Sequence, residues 1–353
     1  MFGELILKDG TKIEGRSFGY GEGSAGELVF ATGMAGYPES LTDPSYEGQI
    51  LVTTYPILGS YGVPDKKNWE SGRIHVKGLI VNQYIDTPSH FESKKTLSTW
   101  LKEEKIPALE VPDTRYLTQL LRDKGAQLAK IIFDKDISFH DPNIDNLVDQ
   151  VSVKKPIKYT RRVSLSAKGQ SKKKTIVLID CGVKQNIIRS LINRNADLIV
   201  VPWDFDVLKL AEKIDGVVIS NGPGDPKMVD TTIVVARKLM DYKIPILGIC
   251  LGNQILALAA GGNTYKLKFG HRGQNQPCTE VGTKRTFITT QNHGYAIGKI
   301  PKGFKPWFIN ANDHTNEGII HESMPFMSVQ FHPEACPGPV DTEWIFDKFL
   351  NFL

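Results

Sequence analysis

Three short stretches combine residue types and spacings that can do chemistry. The first is Gly248-Ile249-Cys250-Leu251-Gly252, which follows an apolar run of strand length and precedes a helical pattern. A glycine two residues before and two after a nucleophile lets a strand reverse into a helix so tightly that the central side chain is held exposed. The thiol then sits at a helix N-terminus, where partial positive charge favours the nucleophilic thiolate and the Leu251 amide can face a developing oxyanion. A lone cysteine is more often a buried structural residue; the flanking glycines and the strand-to-helix context reverse that preference here. The second stretch is Gln330-Phe331-His332-Pro333-Glu334. Residues two apart at an extended strand end point the same way, so Glu334 can orient His332 while the other ring nitrogen reaches Cys250, giving a Cys, His, Glu triad. A histidine beside a proline is also an ordinary surface turn residue, and seven other histidines show that a His alone means little. The third is Asn221-Gly222-Pro223-Gly224-Asp225-Pro226, whose glycines expose backbone amides that can complete an oxyanion hole or hold a carboxylate. Gly-Pro turns are common in loops, so this stretch is weakly specific alone.

These residues need a scaffold that brings strand ends together. From Thr175 onward, continuous apolar runs (175–180, 197–201, 216–220, 246–249) alternate with helical patterns (185–193, 206–213, 231–242, 253–260). That alternation predicts a doubly wound α/β domain with a parallel sheet covered on both faces, and ligands in such sheets bind at the carboxyl ends of the strands. Further strands are predicted at 286–291, 307–312, 318–321 and 326–331, with a closing helix at 341–352. Residues 1–150 lack this rhythm. Short strand-like runs at 4–7, 27–30, 50–54 and 77–82, with helical patterns at 96–105 and 114–124, predict a mixed β-rich domain with its own core.

The chain has 353 residues and 41% hydrophobic composition, enough for two cores. Its net charge of +4 arises from 43 basic against 39 acidic residues. Nine of the basic residues, and no acidic one, fall between Val151 and Lys174; without them the balance is 34 to 39, a net of −5. The basicity is therefore local, and 151–174 is read as a basic linker between domains 1–150 and 175–353. With Tyr159 as its one aromatic it lacks the stacking residues of a single-strand binder, so no nucleic-acid partner is expected. No P-loop or G-x-G-x-x-G is present. The N-terminus carries charges at Glu4, Lys8, Asp9 and Lys12 and does not read as a signal peptide. The uncharged run 244–265 contains Pro245, four glycines, Asn253, Gln254 and Asn263, which suits a buried strand, turn and helix better than a membrane span. The cysteines Cys181, Cys250, Cys278 and Cys336 form no C-x-x-C pair, so neither a metal ribbon nor a disulfide framework is expected. A cytoplasmic protein with no membrane association is the expectation.

Together, SNGPGDP (220–226), GICLGNQ (248–254), QNHGYA (291–296) and QFHPEACPGP (330–339) resemble a class I glutamine amidotransferase domain of the triad type. GELVFATGMAGYPESLTDPSYEGQI (26–50), TYPILGSYG (54–62) and DCGVKQNIIR (180–189) extend the resemblance to the small, glutamine-hydrolysing chain of carbamoyl phosphate synthetase. The resemblance implies a ligase component that takes ammonia from L-glutamine through a γ-glutamyl thioester and passes it to a large chain. There bicarbonate and ATP become carbamoyl phosphate for arginine and pyrimidine biosynthesis. It implies Cys250 as nucleophile, His332 as acid and base, Glu334 as its orienting partner, and Gly222 and Leu251 at the oxyanion. Glutamine binding maps onto Ser45, Gly224, Gln254, Asn292, Gly294 and Tyr295. No cofactor or metal is implied in this chain; ATP and a divalent metal belong to the large partner, with which it would form a heterodimer or a higher oligomer. Asn253 stands where the family commonly has His in CLGHQ, Gln276 and Cys278 replace the usual His and Val of NHPV, and Tyr295 replaces Phe. Asn253 and the basic segment motivate an alternative: a chiefly binding or regulatory subunit with weak glutaminase activity.

Overall fold

A computed structural model of the chain describes residues 1–160 and 174–353. They divide into two units: Met1–Leu147 with Leu267–Gln274, and Val148–Lys266 with Asn275–Leu353.

In the first unit a seven-stranded barrel closes in the order β1 (Phe2–Leu7), β2 (Lys12–Ser17), β8 (Ala108–Glu110), β6 (Gly78–Val81), β4 (Gln49–Thr53), β3 (Ser24–Ala31) and β9 (Gln127–Ile132), with β9 pairing back to β1. The neighbours β3–β4, β4–β6 and β6–β8 are parallel and the rest antiparallel. The period-two alternation of each strand sorts its apolar residues into two cores. Leu28, Ile50, Val52 and Ile80 gather with Leu117 and Leu121 of α3 (Thr114–Lys124). Val29, Leu51, Leu79 and Val81 gather with Trp100 and Leu101 of α2 (Leu97–Glu103). Both helices start on side-chain caps: Thr96 Oγ1 accepts from Thr99 N and Asp113 Oδ1 from Tyr116 N. The short α1 (Tyr37–Leu41) and the two-stranded ribbon β5 (Ile57–Leu58) with β7 (Gln83–Tyr84) complete the unit.

The second unit contains β11 (Lys174–Asp180), α5 (Gln185–Asn193), β12 (Ala196–Pro202), β13 (Gly216–Ile219), α6 (Asp230–Asp241), β14 (Ile246–Ile249) and α7 (Leu251–Ala259). These are followed by β15 (Asn263–Glu280), β16 (Thr286–Lys299), β17 (Phe304–Asn310), β18 (Asn316–His321), β19 (Phe326–Val329) and α8 (Trp344–Leu350). Strands β12, β11, β13, β14 and β19 run parallel in that order. Beyond β19 the sheet continues antiparallel through β18, and the order ends β18-β16-β15-β17. The central strands are buried along their length because helices cover both faces; Val177, Ile179, Val217 and Ile219 pack on one side, and Ile176, Leu178, Val218 and Leu247 on the other. The uncharged run 244–265 thus resolves into β14, a turn, α7 and the first three residues of β15. No helix among the described residues is long and apolar enough to cross a membrane.

Two expectations need correction. The predicted helix 206–213 is a single 3-10 turn, Val207–Lys209, capped by the Asp206 carboxylate. Only Val207 is buried there and Leu208 is exposed, so no apolar face repays helix nucleation. The 18-residue strand β15 is absent from the sequence expectation. The basic segment 151–174 begins in the last residue of α4 (Leu147–Val151) and includes β10 (Ile157–Tyr159), which pairs antiparallel with β12 as an edge strand; residues 161–173 of the expected linker lie outside the described residues.

Candidate active site

The site is built where β14 ends. Cys250 turns the chain into α7 with φ 53° and ψ −101°, a left-handed conformation that costs a non-glycine residue roughly 1–3 kcal/mol. Its N–H donates to Val329 O at 2.8 Å, which ties the turn to β19. The two flanking glycines make the turn possible. A Cβ on Gly248 would stand 2.4 Å from Gly252 O, and one on Gly252 would stand 2.1 Å from Ile219 O. A Cβ on Gly222 would lie 2.0 Å from Cys181 O, so only glycine lets the Asn221–Gly222 backbone come this close to the turn after β11, with the Leu251 side chain packed against it. The Leu251 N–H belongs to the first helical turn and has no acceptor within the helix. Gly224 follows in the same loop with φ 85°.

The Cys250 thiol is buried, 3.7 Å from Asn292 O in β16 and 3.6 Å from the side-chain nitrogen of Gln330. Gly294 and Tyr295 follow Asn292 in the same strand, and Tyr295 O accepts a hydrogen bond from Gln254 Nε2 at 2.8 Å. The residues after β19 return to β16: His332 N donates to Thr290 O at 2.9 Å. His332 Nδ1 then lies 2.7 Å from Glu334 Oε1, with both side chains buried. An Nδ1–H donated to the carboxylate leaves Nε2 as the working nitrogen. His332 Nε2 and Glu334 Oε2 are buried without a hydrogen-bond partner among the described residues.

A third charged group completes this pair. Lys184 Nζ is 3.0 Å from Glu334 Oε1 and also donates to Ala335 O, with the lysine itself only 2% exposed. It is aimed there by the turn after β11. The Asp180 carboxylate accepts from Gly182 N, Val183 N and Val153 N at 2.7–2.8 Å, and Lys184 N donates to Asn221 Oδ1 at 3.1 Å. Burial alone would raise the Glu334 carboxyl, but the Lys184 and His332 cations outweigh it and hold the group at about 2. Burial alone would lower the His332 imidazole, but Glu334 and Cys250 outweigh it and raise the ring to about 10.

Of the residues singled out in the sequence, Cys250, Gly222, Leu251, Gln254, Asn292, Gly294, Tyr295, His332 and Glu334 lie on connected elements of the second unit. Ser45 lies in the first unit, buried in a 3-10 turn where its N–H donates to Asp43 Oδ1 at 2.9 Å. Lys184 and Gln330 carry no role in the sequence reasoning, although both stand just beyond parallel strands, where function was sought.

Residues 177–352 match the family model for glutamine amidotransferase class-I, and residues 5–131 match that for the carbamoyl-phosphate synthase small chain, CPSase domain. The fold of residues 177–352 is that of a class I glutamine amidotransferase domain. The chain belongs to the carbamoyl-phosphate synthase small-chain family. It is 47% identical over 362 residues to the mitochondrial carbamoyl-phosphate synthase (ammonia) of Homo sapiens, a match taking in 99% of this chain and 23% of that protein. It is 46% identical to the multifunctional protein URA2 of Saccharomyces cerevisiae, over 98% of this chain and 17% of that one. The multifunctional protein pyr1-3 of Dictyostelium discoideum is 47% identical, over 99% of this chain and 17% of its own length. The chain therefore spans about a fifth of the length of these relatives.

Proposed function

We propose that this chain hydrolyses L-glutamine and supplies the ammonia to a large carbamoyl phosphate synthase chain that uses bicarbonate and ATP. The observation that carries the reading is the buried Lys184, Glu334, His332 series ending beside a strained Cys250. The Cys250 thiolate attacks the amide carbon of glutamine, and the carbonyl electron pair moves onto oxygen, where the Gly222 and Leu251 amides receive it. The imidazolium of His332 gives its Nε2 proton to the amide nitrogen, the C–N bond breaks, and ammonia leaves a γ-glutamyl thioester. Water then gives a proton to His332 Nε2 and attacks the thioester; the C–S electron pair returns to sulfur and glutamate is released. Glu334 keeps the ring oriented and charged for the first proton transfer. Ser45, Gly224, Gln254, Asn292, Gly294 and Tyr295 would hold the substrate.

Ammonia reaching neutral water would mostly become ammonium and lose its nucleophilicity, so delivery to the partner is expected to be sheltered. ATP and a divalent metal would act on that partner, in a heteromer serving arginine and pyrimidine synthesis in the cytoplasm. The alternative, a chiefly binding or regulatory subunit with weak glutaminase activity, drew on the basic segment 151–174 and on Asn253. That residue is buried and bonded to Gln330 and Ser328, which supports an intact site. The test is glutamate release by the chain assembled with its large partner. Cys250→Ala is expected to eliminate it while ammonia-driven carbamoyl phosphate synthesis survives. Undiminished hydrolysis by Cys250→Ala would sink the proposal.

A further inference from the structure

Gln330 touches the Cys250 sulfur and has no part in the chemistry above. It is fully buried just beyond β19, and its side-chain amide lies 3.6 Å from Sγ. An amide can sit in either of two flips, and the end that faces sulfur decides whether it donates to a thiolate or repels it. Here the flip follows from a group that cannot turn. Tyr295 O only accepts, so the end of Gln254 at 2.8 Å from it is the NH2 group. That same nitrogen lies 3.1 Å from the Gln330 side chain, so the Gln330 atom it meets is the oxygen. Asn253 Nδ2 approaches the same oxygen at 3.0 Å, while Asn253 Oδ1 accepts from Ser328 Oγ at 2.8 Å. Reversing Gln330 would set its NH2 against two other NH2 groups and its oxygen against sulfur. The remaining end, Nε2, must face Cys250.

We propose that Gln330 is a catalytic residue that holds a fixed N–H donor on the Cys250 sulfur, and that Asn253 and Gln254 are positioning residues acting through it. This deepens the glutaminase reading and rests on Cys250 being its nucleophile. The donor acts twice. It favours the thiolate before attack, and it receives the electron pair that collects on sulfur when the C–S bond of the thioester breaks. An imidazole at position 253 would titrate within the working pH range; the Asn253 amide does not, so the donor keeps its direction at every pH.

The test is the pH dependence of Cys250 alkylation by iodoacetamide in the full chain, followed by mass spectrometry so that Cys181, Cys278 and Cys336 are read separately. Gln330→Met keeps the length and removes the donor. Its alkylation midpoint should rise by about one pH unit, a tenfold loss of thiolate below the midpoint, as befits a single charge-assisted hydrogen bond at long range. Gln330→Glu keeps the acceptor for Asn253 and Gln254 but turns a carboxylate oxygen to sulfur, and its midpoint should rise further. With glutamine, Gln330→Met should accumulate acid-trapped γ-glutamyl enzyme, which a purely structural role would not cause. An unmoved midpoint in whichever of the two variants folds overturns the proposal. Failure of the underlying reading looks different: Cys250→Ala would go on hydrolysing glutamine whatever the Gln330 variants do.

Discussion

Replacing Glu334 by Gln removes a single negative charge from the centre of the site while keeping its size and an acceptor for His332 Nδ1. In the native protein the ring nitrogen and the carboxylate are 2.7 Å apart. Opposite charges centred about 4 Å apart at an effective dielectric of about 20 attract by about 4 kcal/mol. At 1.36 kcal/mol per pH unit, losing that attraction should lower the His332 imidazole by about three units. The ring would fall from about 10 to about 7, near an ordinary histidine. The sign is fixed by linkage: the folded value is raised, so the stability contributed by the charged ring is fully present below its unfolded value near 6.5 and is lost as pH rises through the folded value. In Glu334→Gln that loss should come about three units earlier. In the proposed mechanism the imidazolium supplies the proton to the departing nitrogen, so the alkaline limb of glutaminase kcat/KM should move down by the same amount. The assay is steady-state glutamate release against pH, with urea unfolding of each variant to verify folding. An alkaline limb left where the native protein has it, in a folded variant, refutes the electrostatic account of His332.

Gly252→Ala should cost about 1–3 kcal/mol or more by overpacking, because its Cβ would meet backbone at 2.1 Å; urea unfolding reads the cost, and glutaminase should fall as the Cys250 turn is displaced. Glu47→Gln probes the first unit. The Glu47 carboxyl is raised by burial but held at about 2 by His75, Lys77 and Arg73, so its contribution is present above its unfolded value near 4.5 and lost as pH falls towards 2. Arg73 and Lys77 are partly exposed and screened, so the variant should lose about 1–3 kcal/mol at neutral pH, with a weaker acid dependence of stability; an unchanged acid profile would count against the assignment. The Lys184→Met/Glu334→Gln double variant should be less destabilised than Glu334→Gln alone, since Lys184→Met removes the cation that Glu334→Gln leaves buried without its carboxylate; simple additivity in a double-mutant cycle would show the two side chains to be independent.

The parallel core was legible because continuous apolar strands such as Thr175–Asp180 can survive only when covered on both faces, and the glycines around Cys250 declared the tight turn through their spacing alone. β15 was obscured by its composition. Tyr265, Leu267 and Phe269 alternate as a strand should, but the polar run His271–Gln276 that follows gives no apolar period, and its place comes from pairing between β16 and β17 rather than from its own composition. The helix expected over 206–213 shows the reverse error, since a plausible local pattern forms only a turn when nothing covers its second face. Lys184 was hidden for another reason. A lysine in a sequence is read as solvated, and only the fold shows Asp180 and Asn221 turning it inward towards Glu334. The direction of the Gln330 amide was beyond any sequence pattern, because it depends on a carbonyl thirty-five residues away.

Burying ionised groups is costly unless each has an opposite charge beside it. Lys184, Glu334 and His332, with Cys250 as the proposed thiolate, form a series of alternating sign whose sum is zero, and each member offsets the desolvation of the next. That parity explains why the side chain that donates to Cys250 Sγ, and the two hydrogen-bonded to it, are neutral amides. Asn253, Gln254 and Gln330 orient hydrogen-bond donors without adding charge, so none of them disturbs the balance that holds the His332 ring protonated. In the proposed reaction, attack on a neutral amide substrate would relocate the negative charge at one end of the series, from sulfur to an oxygen beside the Gly222 and Leu251 amides, without changing its sum. The proposed proton transfer from His332 to the leaving nitrogen and collapse of the oxyanion would likewise cancel in charge, so the proposed acyl-enzyme would form inside a buried site with no net charge entering or leaving it. A charged residue in place of Gln330 would break that balance at the outset, which is the physical reason to expect an amide there.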